Sequence, residues 1–358
     1  MGNSVRTIVV QSEDADAWDA FVQAHPAAEY GHLFNWNRVI AEVYRHRPYY
    51  LAAVDAGAGS EPGGAIRGIL PLFRFKPLFR RPKLVCLPYF DQAGPLADDL
   101  RTETLLFQAG LSRLRDRGCA GLEIRQAGAA HYSQGQGAEG FHSGLSTLKV
   151  SMKLRLGPSQ DEMLRGFKAK LRSQINKGMK NGLETRIGRE ELLEPFYQVF
   201  SRNMRDLGSP VHSKKFFQTI FKYFRQDAFI CLVTFEKRPV AAGFMFRFKN
   251  ELKNPWASSL RKFRHLNTNM LLYWAMIRFA CDEGMRCFDM GRSSHGASTY
   301  RFKQQWGPEE RPLFWYSWSP AGREPGERPE TLVYPAWRRL PVFVANLLGP
   351  LLRRHISL

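Results

Sequence analysis

The sequence lacks the motifs of several common protein classes. Neither a phosphate-binding Gly-x-x-x-x-Gly-Lys-Ser/Thr loop nor a strand-bound Gly-x-Gly-x-x-Gly motif is present, so a P-loop or Rossmann nucleotide site is not supported. The Gly-x-Ser-x-Gly elbow of Ser-His-Asp hydrolases and the ligand spacing of a zinc site are also missing. We therefore expect no bound metal and none of these reaction types.

Cysteine is scarce, with five residues and no Cys-x-x-Cys pair. Several of them lie within apolar runs, which is typical of reduced core residues in a cytosolic protein. No apolar run is long enough to span a membrane, and the first residues contain no signal-peptide core. The sequence thus predicts a cytoplasmic protein.

Acidic residues are outnumbered by basic ones, 33 against 52, which leaves a net charge of +19 over 358 residues. Such an excess favours an anionic partner: nucleic acid, an acidic membrane surface or a phosphate-rich substrate. The alternative is an arginine-rich composition without such a partner. No RNA-binding aromatic motif is present, so a dedicated nucleic-acid module is not supported, although tRNA contact through the basic segment 168–180 stays open.

The two halves of the chain predict the same order of elements. The first half gives helix 32–44, a strand containing Gly68, a helix ending at Gly118, and strand 122–125. The second half gives helix 213–224, a strand containing Gly243, a helix ending at Gly284, and strand 286–290. This order predicts an α+β fold of two tandem units, each a mixed, mostly antiparallel sheet with packed helices.

The pattern also places the boundaries of the predicted units. We expect a first unit at 1–147, a second at 148–320 and a basic amphipathic tail at 321–358, with 126–146 as a loop and 159–179 as one helix. The tail favours either an interfacial helix or a helix docked on the core, and segment 75–83 has a similar mixture of basic and apolar residues. A peripheral position at the inner face of a membrane would explain both.

Residues 287–307 are the strongest candidate site. An apolar strand ends there at Asp289 and Met290, small and polar residues follow, and Tyr300 and Lys303 come next. Strand ends that open into such loops are common ligand sites in α/β proteins. The corresponding stretch of the first half, after strand 122–125, has no tyrosine–lysine set. We therefore assign any chemistry to the second unit and the acceptor side of a cleft to the first.

Four stretches resemble a known family: Lys-Leu-Arg-Ser-Gln-Ile-Asn-Lys at 170–177, Arg-Asn-Met-Arg-Asp-Leu-Gly-Ser-Pro at 202–210, Asn-Met-Leu-Leu-Tyr-Trp at 269–274, and Phe-Asp-Met-Gly-Arg-Ser at 288–293 with Tyr-Arg-Phe-Lys at 300–303. Together they are similar to FemAB-type proteins and the BioF2-like acyltransferase domain of the GNAT superfamily. The resemblance includes members associated with exosortase/PEP-CTERM exopolysaccharide systems.

The resemblance implies two GNAT-like units and transfer of an acyl or aminoacyl group to an amine of a cell-envelope precursor, such as peptidoglycan or an exopolysaccharide. FemAB-type enzymes of the well-known kind take the group from charged tRNA and carry a long helical insertion. Here only 208–212 separates the helices predicted at 190–207 and 213–224. An acyl-CoA donor is therefore at least as good a candidate as charged tRNA.

Acyl transfer to an amine needs a base, an oxyanion partner and a proton for the leaving group. Asp289 is the candidate base or amine-positioning group, and its alternative role is to cap the following turn. Tyr300 is the candidate proton donor, or a packed ring. Lys303 is the candidate for the oxyanion or a phosphate, because the resemblance places a functional lysine here; its alternative is a solvated surface lysine.

Binding residues complete the predicted site. The candidates for substrate contact are Ser259, Tyr273, Arg292, Ser293 and Trp306, with a structural salt bridge as the alternative for Arg292.

The candidates for the donor's phosphates lie at the start of the helix predicted from residue 268, and they are Arg261, Arg264, Asn267 and Asn269. Free N–H groups and nearby cations suit a phosphate there, whereas capping by Asn267 or Thr268 is the alternative. A non-catalytic scaffold protein of a membrane polysaccharide complex is the rival to the whole enzymatic interpretation.

Overall fold

A computed structural model describes residues 5–56, 64–116, 118–129, 140–320 and 335–357. It divides these residues into two units. The first comprises residues 5–148, 312–320 and 354–357, and the second comprises residues 149–311 and 335–353. Each unit is a mostly antiparallel sheet with packed helices, so the predicted tandem α+β architecture is confirmed.

The first unit is built on a sheet with the strand order β1-β2-β3-β4-β6-β13, with β5 paired to β3. All neighbours are antiparallel except β4 and β6, which pair in parallel from Leu84 opposite Leu122 to Val85 opposite Glu123. Its elements are β1 (Val5–Val9), α1 (Ala15–Ala24), α2 (Asn35–Tyr44), β2 (Arg47–Asp55), β3 (Ile66–Phe75), β4 (Lys83–Cys86), β5 (Leu96–Ala97), α3 (Leu100–Asp116), β6 (Leu122–Gln126) and, from residue 312 on, β13 (Glu309–Pro320).

Helix α3 supplies much of the first unit's core. Its apolar residues recur at the helical period, and Leu106, Phe107 and Leu111 are almost fully buried. The Phe107 ring packs against Trp318 of β13 with centroids 4.7 Å apart. Strand β13 is therefore part of this core and not only an edge of the sheet.

The second unit repeats the arrangement with the order β7-β12-β11-β10-β9-β8. Again one pair, β11 with β12, is parallel among antiparallel neighbours. Its elements are β7 (Phe141–Arg155, from residue 149 on), α4 (Gln160–Gly166), α5 (Ala169–Lys180), β8 (Leu183–Gly188), α6 (Leu193–Leu207), α7 (Lys214–Tyr223), β9 (Ala228–Phe235), β10 (Arg238–Phe248), β11 (Glu251–Ser259), α8 (Thr268–Asp282), β12 (Cys287–Ser294), α9 (Ser298–Gln304) and α10 (Val342–Arg353).

Helix α8 is the central helix of this unit. It is apolar around most of its circumference, as expected of a helix that packs on several sides. Residues 270–277 are all buried, and Ala280 is fully buried. The helix ends before Gly284, whose φ of 68° lies in the left-handed region that favours glycine.

Several predicted elements differ from the structure. Strand β7 already begins at Phe141, within the segment 126–146 predicted as a loop. The helix predicted at 159–179 is two helices, because Phe167 adopts an extended conformation and inserts its ring against Trp274 and Trp306. Helix α9 and strand β13 were not predicted.

The strand next to the parallel pair comes from an unexpected part of the chain in both units. Strand β13 follows the second unit's α9, yet it pairs with β6 of the first unit, and residues 149–155 of β7 pair with β12 of the second. The predicted second unit, 148–320, therefore differs from the structure, which assigns residues 312–320 to the first unit. The tail predicted at 321–358 lies partly outside the described residues, and its described part contains α10.

We expect Trp318→Ala to destabilise the first unit by about 3–5 kcal/mol, because it leaves a cavity beside Phe107 in the core. Hydrogen exchange at the amides of α3 and β6 would measure the loss. Leu145→Ala is the control, since Leu145 is 55% exposed. Unchanged protection of both elements in Trp318→Ala would contradict the assignment of β13 to this core.

Candidate functional site

Strands β11 and β12 separate after a short parallel pairing. Their register runs from Glu251 opposite Cys287 to Lys253 opposite Asp289. At this level β11 shifts its register against β10, and β12 shifts its register against β7 between Asp289 and Arg292. Such bulges redirect strands and free backbone groups from the ladder. The polar groups beyond Asp289 therefore need partners other than the neighbouring strand of the parallel pair.

Lys303 provides one of those partners. Its Nζ donates to the carbonyl oxygens of Gly291 at 3.0 Å and Arg292 at 2.9 Å. The side chain is 7% exposed, so the predicted alternative of a solvated surface lysine is wrong. Gly291 has a φ of 75°, and a Cβ there would lie 3.0 Å from the Asn254 carbonyl oxygen. Glycine at this position lets the backbone of β12 approach that of β11.

Asp289 is fully buried, and both carboxylate oxygens are engaged. Oδ1 accepts hydrogen bonds from Ser151 Oγ at 2.9 Å and from the Gly291 N–H at 2.7 Å. Oδ2 lies 2.8 Å from Lys253 Nζ in an ion pair with side chains 0% and 3% exposed. The bond to Gly291 is the turn-capping contact that the sequence offered as the alternative to a catalytic base.

The charge state of Asp289 follows from these contacts. Burial acts to raise the pKa of its carboxyl group, but the ammonium groups of Lys253 and Lys153 and the hydrogen bonds outweigh burial, so the pKa lies below its ordinary value. Asp289 is therefore an ionised group at neutral pH, hydrogen-bonded through Oδ1 and ion-paired through Oδ2. Its catalytic role stays a prediction, and its structural role is to fix the bulge in β12.

Tyr300 lies on α9, one turn before Lys303. Its hydroxyl donates to Glu310 Oε1 at 2.5 Å, and its ring packs near that of His295 with centroids 5.0 Å apart. The hydrogen bond to Glu310 raises the pKa of the Tyr300 phenol. Tyr300 is half-buried, whereas Asp289 and Lys303 are buried. Its hydroxyl is therefore the most accessible of the three predicted catalytic groups.

Tyr273 and Trp306 form part of the core. They are 6% and 2% exposed, and both rings pack against Phe302. Two polar atoms of the predicted binding set, Trp306 Nε1 and Ser293 Oγ, are buried without a hydrogen-bond partner among the described residues. Buried polar groups are almost always paired, so these two atoms are candidates for contact with a ligand.

The remaining predicted binding residues lie on β11 and β12. Ser259 ends β11 and is 5% exposed, whereas Arg292 is half-buried on β12 opposite Ser151. Both residues therefore lie on β11 and β12, but neither side chain is among the contacts of the Asp289 carboxylate.

The start of α8 carries the predicted phosphate-binding residues. Asn267 precedes the helix with a φ of 62°, and its side chain does not cap the helix but donates to the Gln174 carbonyl at 3.3 Å. The predicted alternative of capping by Asn267 is therefore wrong. Arg261 and Arg264 are exposed in the six-residue 3-10 helix Arg261–Leu266 just before α8, and Asn269 is half-buried. Helix N–H groups near guanidinium groups suit an anion.

Sequence reasoning missed Ser151 and Lys253, the two side chains that hold Asp289. A signal was present: in β7 the polar residues Lys149, Ser151 and Lys153 alternate with apolar ones. An alternating strand is normally exposed on its polar face, but here residues 149–152 are all buried.

Other chemistries find little support among the described residues. Burial raises the pKa of the Cys86 thiol to about 11 and that of Cys287 to about 12, so both remain protonated at neutral pH and are poor nucleophiles. No group of His, Cys, Asp and Glu in the described part of the chain is arranged to hold a metal ion.

Comparisons with known proteins agree with this architecture. Residues 165–304 match the family described as an acetyltransferase (GNAT) domain. The structure resembles that of FemX with a TM-score of 0.64 and 15% identity over 87% of this chain and 96% of that one. It resembles L-PGS from Bacillus licheniformis with a TM-score of 0.55 and 15% identity over 94% and 97% of the chains.

A tandem GNAT protein from the clavulanic acid biosynthesis pathway matches with a TM-score of 0.54 and 11% identity over 87% of this chain and 98% of that one. No curated protein sequence matches the chain. The matched residues 165–304 contain α8, β12 and α9, and therefore Asp289, Tyr300 and Lys303. The expected resemblance to FemAB-type proteins of the GNAT superfamily is confirmed. The family match supports it for residues 165–304 of the second unit, and the fold shared with FemX supports it over 87% of the chain.

We expect Lys253→Met to destabilise the second unit by about 3–5 kcal/mol, because it leaves the Asp289 carboxylate buried without its cation. Chemical denaturation would measure the change. The double variant Lys253→Met/Asp289→Leu should recover much of the loss, since it removes both charges. Lys214→Met is the control: its ion pair with Glu194 is exposed and worth less than about 1 kcal/mol. Equal effects of the two lysine variants would contradict this account.

Proposed function

We propose that this protein transfers an acyl or aminoacyl group to an amine of a cell-envelope or exopolysaccharide precursor. Two findings support the proposal: residues 165–304 match an acetyltransferase (GNAT) domain, and the structure resembles that of FemX. The observation that carries the proposal is the end of the β11–β12 pairing at Lys253 and Asp289, beyond which Lys303 binds the carbonyls of Gly291 and Arg292. A substrate enters an α/β sheet most readily where neighbouring strands diverge.

We propose an acyl-CoA thioester as the donor. Arg261 and Arg264, exposed beside the N–H groups of α8, would contact its phosphates, because a helix N-terminus and guanidinium groups both attract anions. Ser293 Oγ and Trp306 Nε1, buried without partners, would contact the acyl portion. Charged tRNA is the alternative donor; only residues 208–213 connect α6 to α7, so no helical insertion is present there.

The reaction itself joins an amine to a carbonyl carbon. The C–N bond forms as the amine attacks, the C–S bond of the thioester breaks, the amine loses a proton and the sulfur gains one. Tyr300 suits the last step, because its raised pKa keeps the phenol protonated at neutral pH. Solvent or Glu310 would take the amine proton, since Glu310 already accepts a hydrogen bond from Tyr300.

In this proposal Lys303 and Asp289 act through the backbone. The ammonium of Lys303 orients the carbonyls of Gly291 and Arg292, and the carboxylate of Asp289 fixes the Gly291 N–H. Both residues would thereby hold the edge of β12 in position for the donor. The corresponding contacts in the first unit differ: its Arg125 is fully buried, ion-paired with Glu123, and donates to the Phe90 carbonyl at 2.9 Å.

That contrast supports the assignment of chemistry to the second unit. In the first unit the space beyond the parallel pair is occupied by the chain itself, since Arg125 also donates to Ser357 Oγ at 3.0 Å. We propose that the first unit recognises the acceptor. The rival, a non-catalytic binding protein of a polysaccharide complex, is favoured by the burial of the Asp289 carboxylate in an ion pair and two hydrogen bonds within the protein.

A donor screen tests the proposal. Acyl-CoA thioesters should raise the thermal midpoint of the purified protein, whereas RNA should not. At a ligand concentration one hundred times Kd, the free energy of unfolding should rise by about 2.7 kcal/mol. Arg261→Ser/Arg264→Ser should weaken donor binding about tenfold or more. Arg311→Ser is the matched control, because Arg311 is also an exposed arginine of the second unit. Stabilisation by charged tRNA alone would select the other donor, and no response to either would favour the binding protein.

We expect Tyr300→Phe to lower kcat about 100-fold with little change in KM, because it removes a proton donor but leaves the ring. The alkaline limb of the pH profile, at which the raised phenol pKa is reached, should disappear in this variant. Tyr223→Phe serves as the control, since Tyr223 ends α7 and lies outside the site. Unchanged kcat in Tyr300→Phe would exclude this role.

A further inference from the structure

Helix α10 exposes a stripe of large apolar side chains. Phe343 is 75% exposed, Leu347 is 71% exposed and Leu351 is 59% exposed, and their spacing of four residues places them along one side of the helix. Leu348, beside the stripe, is 40% exposed. Single exposed apolar residues are ordinary, but a continuous row of them marks an interaction surface.

The opposite side of α10 is fixed to the second unit. Ala345 is 2% exposed, and Asn346 Nδ2 donates to Ser201 Oγ of α6 at 3.3 Å. At Gly349 an added Cβ would lie 2.9 Å from Val211 Cγ1, so the helix backbone packs closely there. The helix is therefore docked on its own unit through one face, and the stripe faces outward.

The charged side chains of the segment that carries the stripe are all basic. Residues 335–357 contain four arginines and no aspartate or glutamate. Arg338 and Arg339 are exposed just before the helix and Arg354 is half-buried just after it, whereas Arg353, in the last turn, is buried and donates to His212 Nε2 at 3.2 Å. A protein partner would be recognised by both signs of charge in most cases, whereas uniform cations beside an apolar row complement anionic headgroups over acyl chains.

The length of the helix fits this surface. Its twelve residues make a rod of about 18 Å, too short to cross a hydrocarbon core of about 30 Å. No helix in the described part of the chain is long and apolar enough to cross a membrane. A helix of this kind lies in the plane of the interface and buries only one face.

We propose that α10 docks this protein on an anionic phospholipid bilayer, with Phe343, Leu347 and Leu351 among the acyl chains and Arg338 and Arg339 at the phosphates. Docking of this kind does not require the transfer reaction. It would bring the second unit to a membrane-held acceptor, and it stands or falls independently of the donor and of catalysis.

The first unit also has an exposed apolar side chain surrounded by basic residues. In the turn between β3 and β4, Phe79 is 97% exposed and adopts a φ of 56°, an unfavourable conformation for a bulky residue. Lys76, Arg80 and Arg81 are exposed around it, and residues 74–83 include no acidic side chain. An exposed aromatic ring among cations is likewise suited to a lipid interface.

Vesicle sedimentation tests the proposal with the full chain. The wild type should bind vesicles of phosphatidylglycerol and phosphatidylcholine, bind pure phosphatidylcholine much less, and lose affinity as salt rises. Phe343→Ser/Leu347→Ser should weaken binding about tenfold or more, because two large apolar side chains no longer enter the bilayer. Arg338→Ser/Arg339→Ser should weaken it to a similar extent at low salt and flatten the salt dependence.

The matched control is Leu145→Ser/Leu148→Ser, which removes two leucines of β7 that are 55% and 57% exposed. It should bind as the wild type does. All variants should keep the wild-type thermal midpoint and donor response, because the changed side chains are exposed. The proposal is overturned if anionic vesicles are not bound, or if the α10 variants bind them normally. Loss of concentration-dependent self-association in those variants, without vesicle binding, would instead make a second copy the occupant.

Discussion

The ion pair between Lys253 and Asp289 is the contact on which the second unit's site depends. It sits at the last rung of the β11–β12 pairing, with neither charge exposed to water. Two buried charges are tolerated only when they are paired and further hydrogen-bonded, and Ser151 and the Gly291 N–H meet that requirement. The first unit has a related pair, Lys83 with Glu123, on its own parallel strands. Both units therefore anchor the parallel junction with a lysine and a carboxylate.

The order of helices and strands could be predicted because each element follows from a local sequence pattern. The repeat of Gly68 and Gly243 was visible in the sequence, and the structure supplies its cause. A Cβ at Gly68 would lie 2.8 Å from Thr102 Cγ2 of α3, and one at Gly243 would lie 2.7 Å from Met276 Sδ of α8. In each unit, glycine thus allows the long helix to rest directly on the sheet, which composition alone does not reveal.

The residues of the candidate site could be predicted from the sequence, but the side chains that contact them could not. Asp289, Tyr300 and Lys303 stand out because they follow a buried strand within a short stretch. Their partners Ser151 and Lys253 come from 138 and 36 positions earlier in the chain, so only the pairing of β7, β11 and β12 brings them together. The short helix α9 escaped notice because its seven residues, Ser-Thr-Tyr-Arg-Phe-Lys-Gln, are too few to show a helical period.

The position of β13 bears on how the chain is made. During synthesis the first unit emerges with β6 lacking its outer neighbour, because β13, the strand that covers β6, follows all the strands of the second unit in the sequence. An uncovered strand edge invites pairing with other chains. The first unit therefore cannot complete its sheet until residues 312–320 have been synthesised. A chain cut after residue 148 would leave the first unit without β13, so the first unit depends on residues that follow the second unit's sheet.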